Sequence, residues 1–507
     1  MIVLTGAKVG HAGIFQQRVS LSPRLTLFLC AHLLHPRNAT AGVAMNLRTT
    51  PGPRLLRSAL GALWALTAVA TELPARDILP RPNVVIILAD DFGYECLTAN
   101  GGESYRTPNI DGLAATGVRF EKCHVQPLCT PTRIQLMTGR YNIRNYLNFG
   151  TLIRTETTFG HLFRKAGYAT GVCGKWQLGR ETDSPQHFGF EESCLWQHTR
   201  RPPRYANPGL EYNGVEKDFT QGEYGPKLVN DFALDFITRH RDQPFFLYYP
   251  MMLTHDPFQP TPDSPDWDPT TRTENALRDV KHFAEMTAYM DRMVGRVVEK
   301  LNELGLRENT MLVFLGDNGT VGRVSSRFRG VSFRGGKGST THRGTHVPCV
   351  VNWPAAVKQS LVCTDLISST DFLPTICEAA GIAVPPSVDG VSFLPQLRKK
   401  SGTPREWLYS WYSPRQRADM TVRECAFDHH FKLYRTGEFF ELDTDPDEKN
   451  VLQTGSLKGT ALAAANKLQL ALDQFKDARP RELDQQFNSS GKANKSAGKK
   501  KKRADTQ

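Results

Sequence analysis

The chain has 507 residues, of which 40% are hydrophobic and 22% are charged; it is long enough for one large α/β domain and a smaller one. The net charge of +12 would suit a nucleic-acid partner, but it is confined to the ends of the chain. Residues 1–70 carry seven Lys and Arg and no acidic residue, and residues 488–507 carry seven against Asp505 alone. The remaining residues 71–487 therefore have a net charge of −1, which argues against nucleic-acid binding.

The N-terminal segment has the pattern of an export signal. Three arginines between residues 48 and 57 precede the apolar run Ala59–Ala70, and residues 68–70 (AVA) fit a signal-peptidase site. The run is too short to cross a bilayer stably, although a membrane anchor or a buried helix is the alternative. We predict that residues 1–44 are a non-native upstream extension and residues 45–70 a signal peptide. The mature protein would then be exported, periplasmic or extracellular, without a stable membrane span.

Short apolar runs alternate with longer amphipathic segments between residues 71 and 400, the predicted catalytic domain. This alternation predicts an α/β fold with a wound, mixed sheet flanked by helices. Apolar residues at helical spacing predict a helix from Phe283 to Leu304. The predicted strands are Val84–Leu88, Ala169–Cys173, Phe245–Tyr249, Met311–Leu315 and Cys349–Trp353.

The pattern changes after about residue 400. Residues 401–487 predict a smaller antiparallel β subdomain, with a hairpin turn at Gly437 and a packing helix over Ala461–Lys476. The sequence of residues 488–507 predicts a basic, disordered tail, with weak attraction to an anionic polymer or surface as the alternative. The predicted strands of the subdomain are Trp407–Trp411, Glu424–Phe427, Phe431–Arg435 and Phe439–Leu442.

Polar residues follow the predicted strands of the larger domain. They are Asp90, Asp91, Lys175, Gln177, His255, Asp317 and Asn318. In wound α/β sheets the ligand site lies beyond the carboxyl ends of the strands, so these side chains are expected to converge. Three carboxylates and one amide oxygen suit Ca²⁺, with Mg²⁺ as the second choice, and do not suit zinc.

One segment carries a recognisable signature. Cys129-Thr130-Pro131-Thr132-Arg133, followed by residues 136–140 (LMTGR), resembles the C-x-P-x-R signature of the sulfatase family. The likeness runs from about Asn83 to Asn450. Six further blocks match the family in the same order, which argues against a chance resemblance. Those blocks are Asn83–Gly93, Thr107–Phe120, Gly174–Gly179, Thr254–Phe258, Gly316–Gly319 and Gly335–Ser339.

The resemblance implies a modified nucleophile and a metal site. In this family a maturation enzyme oxidises the motif cysteine to formylglycine, an aldehyde, so Cys129 is the implied formylglycine and that enzyme an implied partner. The hydrate of this aldehyde has two hydroxyls on one carbon. The implied metal ligands are Asp90, Asp91, Asp317, Asn318 and the hydrate of residue 129.

The resemblance also implies covalent catalysis. Arg133 would hold the hydrate, while Lys175, His255 and Lys337 would bind the sulfate and the leaving oxygen. One hydroxyl attacks sulfur, His255 or Lys337 protonates the leaving oxygen, and loss of the second proton expels sulfate. The alternatives are a buried thiol at Cys129, a loop histidine at His255, solvated lysines, and an Arg133 that only pairs with a neighbouring acid.

Three positions depart from the family pattern. Thr132 stands where serine or alanine is commonest, and Gln177 stands where many relatives have histidine. Glutamine cannot accept a proton as imidazole does. The segment Thr341–His346 has Arg343 where relatives often carry an acidic residue; its two histidines and Arg343 would face the substrate or lie on the surface.

Nine cysteines follow residue 70, and none has zinc-finger spacing. Cys349 and Cys377 lie in apolar runs and are predicted core residues. Apart from Cys129, eight remain; some could pair in an oxidising compartment, and the sequence does not choose the pairs.

The predicted function is that of a sulfuric ester hydrolase acting on sulfated carbohydrate or aryl sulfate. The segment 196–225, which is rich in aromatic, arginine and glycine residues, is predicted to shape the substrate pocket. A phosphodiesterase or phosphonate monoester hydrolase of the same superfamily is one alternative. A secreted, non-catalytic protein that binds sulfated glycans is another.

Overall fold

The structure is a computed structural model that describes residues 81–270, 278–400, 402–416 and 419–489. The predicted upstream extension, the signal peptide and nearly all of the basic tail lie outside the described residues. Among the helices of the described ranges, none combines the length and apolar character needed to cross a bilayer.

Strands and helices alternate through the larger part of the chain. The strands are β1 Asn83–Ala89, β2 Val118–His124, β3 Ala169–Gly174, β4 Glu192–Trp196, β5 Gly209–Tyr212, β6 Val215–Asp218, β7 Phe245–Pro250, β8 Thr310–Gly316, β9 Ser325–Phe328, β10 Val331–Arg334, β11 Cys349–Asn352 and β12 Leu361–Ser368. The helices are α1 Pro108–Thr116, α2 Cys129–Thr138, α3 Asn142–Asn145, α4 Phe159–Lys165, α5 Ser184–His187, α6 Gly225–Arg239, α7 His282–Glu303, α8 His342–Thr345, α9 Phe372–Ala379 and α10 Leu394–Leu397.

Ten of these strands form one mixed sheet in the order β12-β2-β11-β8-β1-β7-β3-β4-β5-β6. The five neighbours from β8 to β4 run parallel, with β1 between β7 and β8. β11 is antiparallel to both β8 and β2, and β5 and β6 add an antiparallel edge. The predicted wound, mixed sheet is therefore confirmed.

Both faces of the sheet are covered, which explains why β1 is a continuous apolar run. Alternate residues of β1 belong to two separate apolar clusters: Val84 packs in one and Val85 in the other. The first cluster includes residues from α2, α4 and α9, and the second includes residues from α1, α6 and α7. Parallel strands buried on two sides favour such unbroken apolar sequences.

The C-terminal part forms a second, smaller sheet. Its strands are β13 Leu408–Tyr412, β14 Arg423–Phe427, β15 Phe431–Tyr434 and β16 Phe439–Glu441, followed by α11 Gly459–Asp473. The four strands pair antiparallel in chain order, and α11 packs against β14 and β15. Gly437, with φ at 103°, makes the β15–β16 turn, a conformation that glycine adopts without strain. The predicted subdomain fold is confirmed, whereas the domain boundaries remain predictions.

Candidate active site

The polar residues predicted to converge do so at the carboxyl ends of the central parallel strands. Lys175 Nζ lies 2.6 Å from Asp90 Oδ2, and the Asp91 amide donates to Asp317 Oδ1 at 3.0 Å. His255 Nε2 lies 3.8 Å from Asp91 Oδ2. Because β8, β1, β7 and β3 are neighbours in the sheet, loops distant in sequence meet at one point, as wound sheets require.

Cys129 is the first residue of α2, and its side chain faces this cluster. Only 1% of the residue is exposed, and Sγ donates to Gln177 Oε1 at 2.9 Å. Its Sγ and one carboxylate oxygen each from Asp90 and Asp317 lie within 4.8 Å of one another. Burial raises the pKa of the thiol, while the positive charges of nearby lysines lower it. The helix N-terminus favours negative charge at position 129.

Arg133 lies one turn along α2 and is fully buried. Its Nη2 donates to Asp317 Oδ2 at 2.8 Å, and its Nη1 donates to the Lys175 carbonyl at 2.6 Å. The guanidinium therefore ties the helix of Cys129 to the loops after β8 and β3. A buried arginine that donates to two separate acceptors fixes geometry as well as charge.

The carboxylates of the cluster differ in their proton affinity. Burial raises the pKa of Asp317 to about 7, and the negative charge of Asp90 adds to the rise. Burial also opposes ionisation of Asp90 and Asp91, but the nearby lysines hold both pKa values below the usual range. Packing three acids into a space without solvent is costly unless cations compensate them.

Two oxygens in the cluster have no hydrogen-bond partner although they are buried: Asp90 Oδ1 and Asn318 Oδ1. Asn318 Nδ2 donates to Asp91 Oδ1 at 2.8 Å and to the Gly319 carbonyl at 3.0 Å, so its donor is satisfied and its acceptor is not. Buried polar atoms without partners require an explanation. Oxygens from three carboxylates and one amide fit a hard cation such as Ca²⁺ or Mg²⁺.

Lys337 approaches the same centre from the loop after β10. Its Nζ lies 2.6 Å from Asp91 Oδ1, and this contact raises the pKa of the ammonium despite burial. The amide of Gly338 donates to the Pro127 carbonyl at 2.9 Å, which fixes this loop next to the one that precedes Cys129.

His255 has a neighbour that the sequence did not identify, Arg204, whose Nη1 lies 3.2 Å from His255 Nδ1. The guanidinium also stacks over the Trp196 ring at 4.2 Å. Burial and the charge of Lys175 lower the pKa of His255 to about 3. Arg204 comes from the segment 196–225 that was predicted to shape the pocket. The arginine and aromatic content of that segment was the only sequence feature that pointed to a role for Arg204.

The departures from the family pattern have distinct surroundings. The Thr132 hydroxyl accepts a hydrogen bond from the backbone N–H of Gln126 at 3.0 Å, so it stabilises the turn before α2. Arg343 pairs with Asp447 and stacks over Phe333 at 4.3 Å. The two histidines of the Thr341–His346 segment pack with His124 in an imidazole cluster.

Among the described residues all nine cysteines are free and buried. Cys349 and Cys377 are 1% and 0% exposed and lie in the core, as predicted. Burial raises the pKa of most of these thiols, which disfavours reactive thiolates. Cys129 differs from the others because it alone heads α2 beside the acidic cluster.

Comparison with known proteins identifies the family. The Sulfatase family model matches residues 82–382. The chain belongs to the sulfatase family. A second model, N-sulphoglucosamine sulphohydrolase, C-terminal, matches residues 339–475 of this sulfatase.

Individual relatives agree with that assignment. The sulfatase is 31% identical to arylsulfatase A of Bos taurus over 82% of this chain and 92% of the relative. It is 32% identical to N-acetylgalactosamine-6-sulfatase of Mus musculus over 69% of this chain and 71% of the relative. The solved structure of Ps i-CgsB superposes with a TM-score of 0.66 at 25% identity, covering 79% of this chain and 94% of that one. The predictions of a sulfatase fold and of a sulfatase enzyme are confirmed.

Proposed function

We propose that this sulfatase hydrolyses aryl sulfates or sulfate esters of glycosaminoglycan-type sugars, using a formylglycine at residue 129 and a bound Ca²⁺. The observation that carries the proposal is the buried oxygen cluster facing the first residue of α2. Relatives named arylsulfatase and N-acetylgalactosamine-6-sulfatase support the substrate classes. Turnover rates on matched sulfate and phosphate esters, and on a panel of sulfated sugars, test the proposed activity. Preferential turnover of phosphate esters would contradict it.

The two buried oxygens without partners, Asp90 Oδ1 and Asn318 Oδ1, support a divalent cation in this cluster. Three carboxylates face the cations Arg133, Lys175 and Lys337, so the cluster alone is close to neutral. A bound Ca²⁺ would supply an excess of positive charge, lower the pKa of a hydroxyl at residue 129 and offset charge on the sulfate oxygens. Asp90, Asp91, Asp317 and Asn318 would hold this ion through oxygens that include the two without partners.

The remaining groups are placed to bind and orient the substrate. A formylglycine at residue 129 would supply a hydroxyl nucleophile when hydrated. The ammonium of Lys175 contacts Asp90 and that of Lys337 contacts Asp91, and an anionic sulfate ester bound here would gain two charge-assisted contacts. His255 lies beside Asp91, and we assign it and Lys337 to the leaving oxygen: the Lys337 ammonium supplies the proton, and His255, whose pKa is lowered to about 3, donates a hydrogen bond as a neutral imidazole. Arg133 holds α2 in place.

Gln177 predicts an unusual kinetic course. It contacts the residue-129 side chain at 2.9 Å, yet an amide cannot remove the proton whose loss expels sulfate. We expect slow sulfate release, seen as a burst of leaving group followed by a slower steady state, since losing a general base costs about 10²–10⁴-fold in its step.

Rapid mixing with a chromogenic aryl sulfate measures the burst. The Gln177→His variant should shorten the slow phase and raise the steady-state rate, whereas Gln177→Asn should not. A linear time course in the wild type, with no gain for Gln177→His, would show that another group serves as the base.

Export of the protein is a separate proposal. The apolar run and the AVA site predict a mature chain that begins near Thr71. N-terminal sequencing of protein from the culture medium or periplasm identifies the first residue of the mature chain. Recovery of residues 1–44 on the exported protein would contradict both the start site and the cleavage site.

A further inference from the structure

A large groove adjoins the reaction centre on the side of the C-terminal sheet. It has a volume of about 710 Å³ and lies between the loop Gly338–Thr341 and strands β14 and β15. We call it the β14 groove and define it by Ser339, Thr341, Thr421, Arg423, Thr436 and Glu438. Such a volume is in the range of small-molecule sites.

Two contacts place the β14 groove next to the loops that carry the catalytic cluster. The loop that forms one wall follows directly from Lys337, and its Gly338 amide bonds the Pro127 carbonyl, two residues before Cys129. On the other wall, Tyr412 pairs across the strands with Arg423. Burial raises the pKa of Tyr412 to about 12, and the charges close enough to act on it include Arg423, Cys129 and Lys337.

The walls are fixed to each other by buried contacts. Thr340 Oγ1 lies 2.8 Å from the Tyr434 hydroxyl. Lys432, which is 1% exposed, reaches the Thr340 carbonyl and pairs with Glu448 at 2.7 Å. The β14 groove is therefore preformed, and a ligand would not have to organise it.

The chemistry of the groove suits a hydroxylated ring. Its Ser and Thr hydroxyls can both donate and accept, and two of its acids are already engaged: Glu424 with Arg435 at 2.8 Å, and Glu448 with Lys432. Arg423 is exposed, and within the described part of the chain its side chain makes no hydrogen bond or ion pair. It lines the groove as a free donor.

From this juxtaposition we propose that the β14 groove binds the sugar next to the one that is desulfated. The preferred substrate is then a sulfated oligosaccharide, not a sulfated monosaccharide or a small aryl sulfate. The Thr421 hydroxyl bonds the ring of the neighbouring sugar, the Thr436 hydroxyl, which donates to Glu438, accepts from it, and Arg423 donates to one of its oxygens. The proposal rests on the proposed sulfatase function and names the substrate class of that site.

Kinetics on matched substrates test it. The substrates are a chromogenic aryl sulfate, a sulfated monosaccharide that the panel identifies, and a tetrasaccharide containing the same sulfated unit. Wild-type kcat/KM should be about 10-fold higher for the tetrasaccharide than for the monosaccharide, the gain expected from one or two additional hydrogen bonds. Arg423→Ala and Thr421→Trp, which fills the groove, should remove this gain mainly through KM.

Turnover of the aryl sulfate distinguishes an effect on the groove from an effect on the catalytic centre. Both variants should keep kcat/KM for the aryl sulfate within about twofold of the wild-type value. The control variant Arg164→Ala, at another exposed arginine, should keep kcat/KM within about twofold on all three substrates. Equal losses on all three substrates, or no tetrasaccharide preference in the wild type, would overturn the groove proposal while leaving the sulfatase function intact. Absence of turnover of any sulfate ester by the wild type would instead overturn the proposed function, and the groove proposal with it.

Discussion

Replacing Cys129 by alanine is expected to abolish sulfate ester hydrolysis, by roughly 10⁴-fold or more, because alanine has no thiol that can be oxidised to the aldehyde. The fold should persist. The residue is 1% exposed and contributes one side-chain hydrogen bond, to Gln177, so the free energy of unfolding should change by about 1 kcal/mol. Steady-state assays and thermal unfolding measure the two effects.

Mass spectrometry of the peptide that spans residue 129 completes this test. Protein from a host that contains the maturation enzyme should carry formylglycine there, and activity should scale with the modified fraction. Cys349→Ala is the matched control, since that thiol is equally buried but lies in β11, so this variant should keep its activity. Fully active protein with unmodified Cys129 would refute the proposed nucleophile.

The central strands could be predicted from sequence because each is buried on two faces. β1 and β8 have no polar residue after their first positions, Asn83 and Thr310, and their burial is complete. β2 was missed because its sequence, VRFEKCH, mixes buried and half-exposed residues. It pairs with β11 and β12, and such a polar strand is specified by its partners more than by its own composition.

Helix α2 shows why the site itself was only partly predictable. All ten of its residues are buried, although Thr132, Arg133 and Gln135 are polar. Their partners are the Gln126 backbone, Asp317 and Ser369, which come from other parts of the chain. No local pattern reveals such partners, so the start of the helix at Cys129 could not be predicted from its sequence.

Convergence of the acids followed from a topological rule, whereas contacts between separate loops did not. Asp90 and Asp317 could be placed together because both follow parallel strands. The contact between Arg204 and His255, and the groove beside Lys337, depend on how long segments without a regular pattern fold over the sheet. These are the features that determine substrate choice, and they required the three-dimensional structure.

Replacing Asp317 by asparagine is expected to remove the metal as well as the activity. The substitution keeps the shape and one oxygen but deletes a negative charge from the proposed Ca²⁺ site. We expect stoichiometric calcium in the purified wild type and a loss of calcium from the variant, with activity lower by about 10³-fold, since metal-assisted charge stabilisation supplies several kcal/mol. Elemental analysis by mass spectrometry measures the metal directly.

A second measurement separates metal loss from structural damage. Asp317 is also the partner of buried Arg133, so the variant will be less stable even without metal. In the wild type a chelator should lower the melting temperature, because bound calcium stabilises the folded state by mass action; in Asp317→Asn the chelator should have no effect. The control is Asp266→Asn, in the other acidic cluster of the described residues, formed with His282 and Glu285. That cluster is partly exposed and contains a histidine, which suits Ca²⁺ poorly, so this variant should retain both its calcium and its response to the chelator. Stoichiometric zinc in the wild type, or undiminished calcium in Asp317→Asn, would refute the oxygen-ligated calcium site.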